Sequence, residues 1–189
     1  MAVFGSLRFN RTLNQFLTCE DLQSEQGQAL VEKLGDTATD NMEKMLETIS
    51  LSQKPHSEVL KTIVINDKRL DSEDRLLDNL KNKNEGIRAT AKIILSQAPK
   101  ISPAKLFRRL NEDQESRADV LDIIETQRDQ IPPEMMIKNA VRMDAGNAKR
   151  LFRIAQSVAE KTDLSALNID VEVIRNVDTK LMLIRFLNA

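Results

Sequence analysis

The strongest constraint on this chain is a self-similarity with a period of 30 residues. Leu76-Leu77-Asp78-Asn79-Leu80, Leu106-Phe107-Arg108-Arg109-Leu110 and Met136-Ile137-Lys138-Asn139-Ala140 fall into register at offsets of 30 without a gap. Further along each unit, Ala91, Leu121 and Leu151 share a column, and so do Ile94, Ile124 and Ile154. Leu181 and Ile184 continue both columns by another 30. Upstream, Met45, Leu46, Ile49, Leu60 and Ile63 repeat the pattern with a shift of 31, and before residue 41 it fades. Spacings of three and four place such residues on one helix face. Each unit therefore predicts a short helix carrying Leu76, Leu77 and Leu80, a polar turn, and a longer helix carrying Ile87, Ala91, Ile94, Leu95 and Ala98. One such pair cannot bury its own apolar face, whereas stacked pairs share a continuous core. The expected fold is all-α: an α-solenoid of stacked antiparallel helix pairs over 41–189, as a single continuous domain.

The punctuation agrees with the period. Ser102-Pro103 sets a capping hydroxyl before a proline at the first helical position. Pro132-Pro133-Glu134 recurs 30 residues on, and Ser72-Glu73-Asp74 stands 30 residues back as a cap followed by acids that suit the helix dipole. Ile101 and Ile131 precede their helices as candidate hydrophobic staples. Gly86 and Gly146 hold equivalent positions in the polar turns.

The stretch Glu85-Gly86-Ile87-Arg88-Ala89-Thr90-Ala91-Lys92-Ile93-Ile94-Leu95 resembles the second helix of a HEAT repeat, with Ile87, Arg88, Ala91 and Leu95 at that family's characteristic positions. The period resembles its short, HEAT-like form. The other units depart from it: Arg117 and Asn147 replace Ile87, and Ala118 and Ala148 replace Arg88. The resemblance implies a superhelix of stacked pairs and is nearly silent on function, because such arrays serve unrelated roles.

Residues 1–40 read as N-terminal capping helices. Phe4, Leu7, Leu13, Phe16 and Leu17 form one predicted stripe; Leu22, Ala29, Leu30 and Leu34 form a second that ends near Gly35. A competing reading makes Phe4, Leu7 and Phe9, beside Arg8 and Arg11, an interfacial anchor. At the other end, Leu181-Met182-Leu183-Ile184-Arg185-Phe186-Leu187 is an apolar helix without a polar cap. It packs on the preceding helix, belongs to the front part of a longer chain, or pairs with a second copy as a homodimer.

Composition removes most chemistries. The 189 residues hold 28 Lys+Arg against 29 Asp+Glu, a net charge of −1 that argues against a strongly basic nucleic-acid binder. One Cys (Cys19) and one His (His56) exclude disulfide frameworks and zinc clusters. His56 is expected to be a solvated turn residue and Cys19 a half-buried packing residue. Five scattered glycines form no phosphate loop. No signal peptide and no apolar run of membrane-spanning length appears, and an unpartnered cysteine fits a reducing compartment, so the expected setting is cytoplasmic. Neither a catalytic constellation nor a metal or cofactor site is expected.

What remains is a local excess of positive charge. Arg142, Lys149, Arg150 and Arg153 fall within a dozen residues, and Lys100, Lys105, Arg108 and Arg109 form a second group. Lys149 and Arg153 share a helix face, and Arg153 stands where Ile93 and Ile123 stand in the repeat. Phe152 and Phe186 interrupt polar positions and are either exposed anchors or core residues of slightly rotated helices. These six residues, Arg142, Lys149, Arg150, Arg153, Phe152 and Phe186, are the candidate contacts of a non-catalytic scaffold or adaptor that binds another protein. The alternatives are a nucleic-acid-binding HEAT-like array, opposed by the lack of Trp and Tyr for base stacking, and a regulatory module of a larger signalling protein.

Overall fold

The computed structural model describes residues 2–67, 69, 71–99, 101–159 and 177–187, with side chains at these positions except 2–6, 159 and 185–187. Among the described residues all regular structure is helical. The chain divides into two compact units, Met1–Ile101 and Ser102–Ala189. The boundary falls inside the stretch expected to form one continuous domain, and the two N-terminal helices belong to the first unit.

The first unit contains α1 (Ala2–Leu17), α2 (Glu25–Gly35), α3 (Met42–Leu51), α4 (His56–Ile65), α5 (Ser72–Asp78) and α6 (Glu85–Gln97). Packing joins α1 to α2, α2 to α4, and α3 to both α4 and α6. Met45, Leu46, Ile49, Leu60, Ile63, Leu76, Leu77 and Leu80 are buried, as the repeat columns predict. Asn84 starts α6 by accepting from the Gly86 and Ile87 N–H groups, at 3.0 and 3.4 Å, which satisfies donors that the first helical turn leaves unpaired.

Two details correct the expectations there. In α1 the buried stripe is Phe9, Leu13 and Phe16, spaced four and three apart, while Leu7 is 61% exposed; the side chain of Phe4 lies outside the described residues. At α5, Asp71 is the cap residue and makes no side-chain capping bond, so Ser72 is the first helical residue and is buried.

The second unit contains α7 (Pro103–Glu112), α8 (Arg117–Thr126), α9 (Pro133–Ala140), α10 (Ala145–Ala159) and α11 (Val177–Leu187). Pairs α7–α8 and α9–α10 pack together, α8 packs on α10, and α11 packs on α10. Ser102 Oγ accepts from the Lys105 N–H at 3.4 Å, and Pro103 occupies the first turn. Leu106, Phe107, Leu110, Leu121, Ile124, Met136, Ile137, Ala140, Leu151 and Ile154 are all buried. The columns do not extend into α11. Leu181 and Ile184 are 49% and 38% exposed, and Thr179 and Leu183, four residues apart, take the inward face instead.

Candidate functional site

The basic cluster of the second unit is built on α10. Asp144 precedes this helix; its Oδ1 accepts from the Asn147 N–H at 3.1 Å and its Oδ2 from Asn147 Nδ2 at 2.6 Å. Those two bonds hold the Asp144 carboxyl below its ordinary pKa. Once the helix is set, Ala148, Leu151, Phe152, Ile154 and Ala155 form its buried stripe. Lys149 and Arg153 then fall on the opposite, exposed face, four residues apart. Arg142 is exposed in the turn between α9 and α10.

The structure separates the four cationic residues by role. Arg150 turns toward α8, where its Nη2 donates to Asp122 Oδ1 at 2.6 Å and to Glu125 Oε2 at 2.5 Å. Burial alone lowers the Arg150 pKa; hydrogen bonds and attraction from Glu125 and Asp122 outweigh it and raise it. Arg150 therefore bridges two helices. No ion pair or side-chain hydrogen bond of Arg142, Lys149 or Arg153 occurs among the described residues. In the earlier basic group, Arg109 pairs with Asp113 at 3.4 Å, and Lys100 lies outside the described residues.

Phe152 is not an exposed anchor. It is 5% exposed and shares the buried stripe of α10 with Ala148, four residues before it, and Ala155, three after it. The side chain of Phe186, within α11, lies outside the described residues. The register column containing Arg153 is uneven: Ile123 is fully buried, whereas Ile93 is 45% exposed.

A second candidate, which the repeat pattern did not reveal, lies wholly in the first unit. A trough of about 870 Å³ opens between α2 and α4. Val31 and Gly35 from α2 and Val59, Thr62 and Ile63 from α4 line it, with Pro55 near one end and Asp67 and Arg69 near the other. An added Cβ at Gly35 would meet no atom within 4 Å. Asp36 and Glu58 also line it. Glu58 is shared with Lys61 at 3.0 Å and Lys54 at 4.0 Å, and Lys61 is the chief reason its pKa is lowered. Asp67 accepts from the Thr39 hydroxyl and pairs with Arg69 at 3.3 Å. Burial pushes the Asp67 carboxyl up, but Thr39 and Arg69 outweigh it and hold it below its usual value. Arg69 reaches Asp40 as well, at 3.1 Å.

Neither a family model, nor a curated protein, nor a solved structure matches the chain. Among the described residues no group of three His, Cys, Asp or Glu side chains is placed to hold a metal ion, and no helix is long and apolar enough to cross a membrane. His56 is not a solvated turn residue. It is half-buried at the start of α4, its Nε2 lies 3.0 Å from the Cys19 carbonyl oxygen, and its ring meets Phe16 edge-on at 5.2 Å. It ties α4 to the end of α1, a structural task.

Proposed function

We propose that this protein is a non-catalytic adaptor built on HEAT-like helix pairs stacked as a solenoid, binding a protein partner through the exposed basic face of α10. The stacking reading is supported by long-range polar ties that span about one repeat. Asn111 of α7 reaches Asn139 of α9, and Asp122 of α8 reaches Arg150 of α10, each tie joining neighbouring pairs across 28 residues. In a stacked array each unit touches its neighbours, so contacts recur at the repeat length. The binding reading rests on one observation: Lys149 and Arg153 stand exposed on one face without a carboxylate partner among the described residues, while Arg150 between them has two. A partner of matching chemistry presents an acidic segment.

The test is a pull-down with and without nuclease, using wild type and the triple variant Arg142→Glu, Lys149→Glu, Arg153→Glu. Arg150 is left intact because it holds α10 to α8. Reversing exposed, unpaired charges changes stability by roughly 0.5 kcal/mol or less per site, so the variant remains folded. A protein partner that survives nuclease and is lost in the variant is the expected result. Partners that disappear on nuclease treatment, or that bind the variant unchanged, overturn the reading; the first outcome supports a phosphate-backbone interface instead.

A further inference from the structure

The trough between α2 and α4 lies wholly in the first unit and does not depend on the reading given to the α10 face. Its volume, about 870 Å³, is that of a ligand pocket. Its form is different: it opens to solvent along its length, so it would not enclose a small molecule. A groove between two helices accepts the apolar stripe of a third. Gly35 helps, because nothing stands within 4 Å of where its side chain would be, so a large partner side chain can approach the helix backbone there.

Charge decides which helix fits. The lining includes three carboxylates, Asp36, Glu58 and Asp67, and one guanidinium, Arg69, and Glu58 is already held by Lys61 and Lys54. Arg69 is already held by Asp67 and Asp40. Asp36 is the C-cap of α2. There its negative charge meets the negative end of the helix dipole, and no ion pair relieves it among the described residues. Asp36 is thus the lining carboxylate left without an ion pair among the described residues, and the part of the trough beside it favours a cationic group over an anionic one. We propose that the trough binds a basic amphipathic helix of a protein partner, its apolar stripe seated on Val31, Val59 and Ile63 and a lysine or arginine opposite Asp36.

The test uses the full chain, labelled with ¹⁵N, and two short helical peptides of identical pattern: one of leucine and lysine, the other of leucine and glutamate. The leucine–lysine peptide is expected to shift the amide resonances of Val31, Gly35, Val59 and Thr62, and to bind about tenfold more tightly than its acidic counterpart, a difference easily read in a titration. Gly35→Leu fills the trough from within and weakens binding about tenfold. Asp36→Lys, at an exposed position, reverses the preference between the two peptides and answers the question even if Gly35→Leu fails to fold. Equal affinity for both peptides, shifts centred elsewhere, or unchanged binding by Asp36→Lys overturns the proposal. So does a dimer in sedimentation that Gly35→Leu dissociates, which would assign the trough to a second copy.

Discussion

The two units use similar helix pairs and leave opposite surfaces. In the first, the long-range polar ties gather where segments join. Thr39 and Asp40 precede α3, and they hold Asp67 and Arg69, which follow α4. The surface left over is an apolar trough edged by carboxylates. In the second unit the strongest tie runs helix to helix, from Arg150 to Asp122 and Glu125. It consumes one cation and two carboxylates, and leaves Lys149 and Arg153 facing water. The lesson concerns where a repeat stores its specificity. The buried columns are interchangeable between units, while each unit's surface is set by which charges its internal ties use up.

The largest effect that would break this comparison comes from Gly27, in the first turn of α2. A Cβ there would lie 2.6 Å from the Asp21 carbonyl oxygen and 2.7 Å from Leu22 Cα. These are backbone atoms, which cannot swing aside. Gly27→Ala should cost about 3 kcal/mol, the upper end for forcing atoms into a filled site, despite the better helix propensity of alanine. Region-resolved hydrogen exchange checks it. Amides of α2 and α4 are expected to lose protection while those of α8 and α10 keep theirs. Equal losses in both units would mean that they unfold together, and the contrast drawn between them would fall.

Acid titration sharpens the comparison at intermediate size. The carboxyls of Asp67 and Asp144 both have pKa values below their ordinary range. A depressed folded pKa contributes stability above the unfolded value, near pH 4, and that contribution is lost as pH falls through the folded value. The Asp67 side chain is only 5% exposed and that of Asp144 is 56% exposed. Asp67→Asn should therefore remove about 1–2 kcal/mol at neutral pH, as for a buried bonded group, and flatten the acid limb of the first unit's unfolding curve. Asp144→Asn should remove only roughly 0.3 kcal/mol, because solvent screens it. Urea unfolding between pH 2 and 7 checks both, and equal effects would refute the ranking.

Much of the helical content was legible in the sequence, and the reason is physical. Leu76, Leu106 and Met136 are all buried, and the buried face of a helix recurs every three or four residues, so their spacing is visible in the residues themselves. The ends were less legible. Leu181 and Ile184 continue two columns, yet a column alone does not fix the rotation of a helix, and α11 turns Thr179 and Leu183 inward. Phe152 was open for a related reason: its register position is polar in other units, and burial selects the core reading over the exposed one. The trough was invisible because its walls come from two helices, α2 and α4, whose pairing the repeat columns do not encode. The sequence marks Gly35 as the end of a helix and says nothing about the space above it.

That space yields a small prediction and the closest control. Gly35 and Gly27 lie in one helix, and the same substitution should act with opposite sign at the two positions. Gly35 has no positive φ, so alanine fits its backbone, and no atom stands within 4 Å of the added carbon. Alanine narrows the conformations open to the unfolded chain while the folded state accepts it unstrained, so Gly35→Ala should raise stability by about 0.5 kcal/mol. Thermal unfolding at several protein concentrations checks this. A gain independent of concentration means that the trough is empty in the isolated chain and ready for a partner. A loss that grows with concentration means that a second copy already sits over Gly35, and the acidic edge of the first unit would then be part of an interface between like chains.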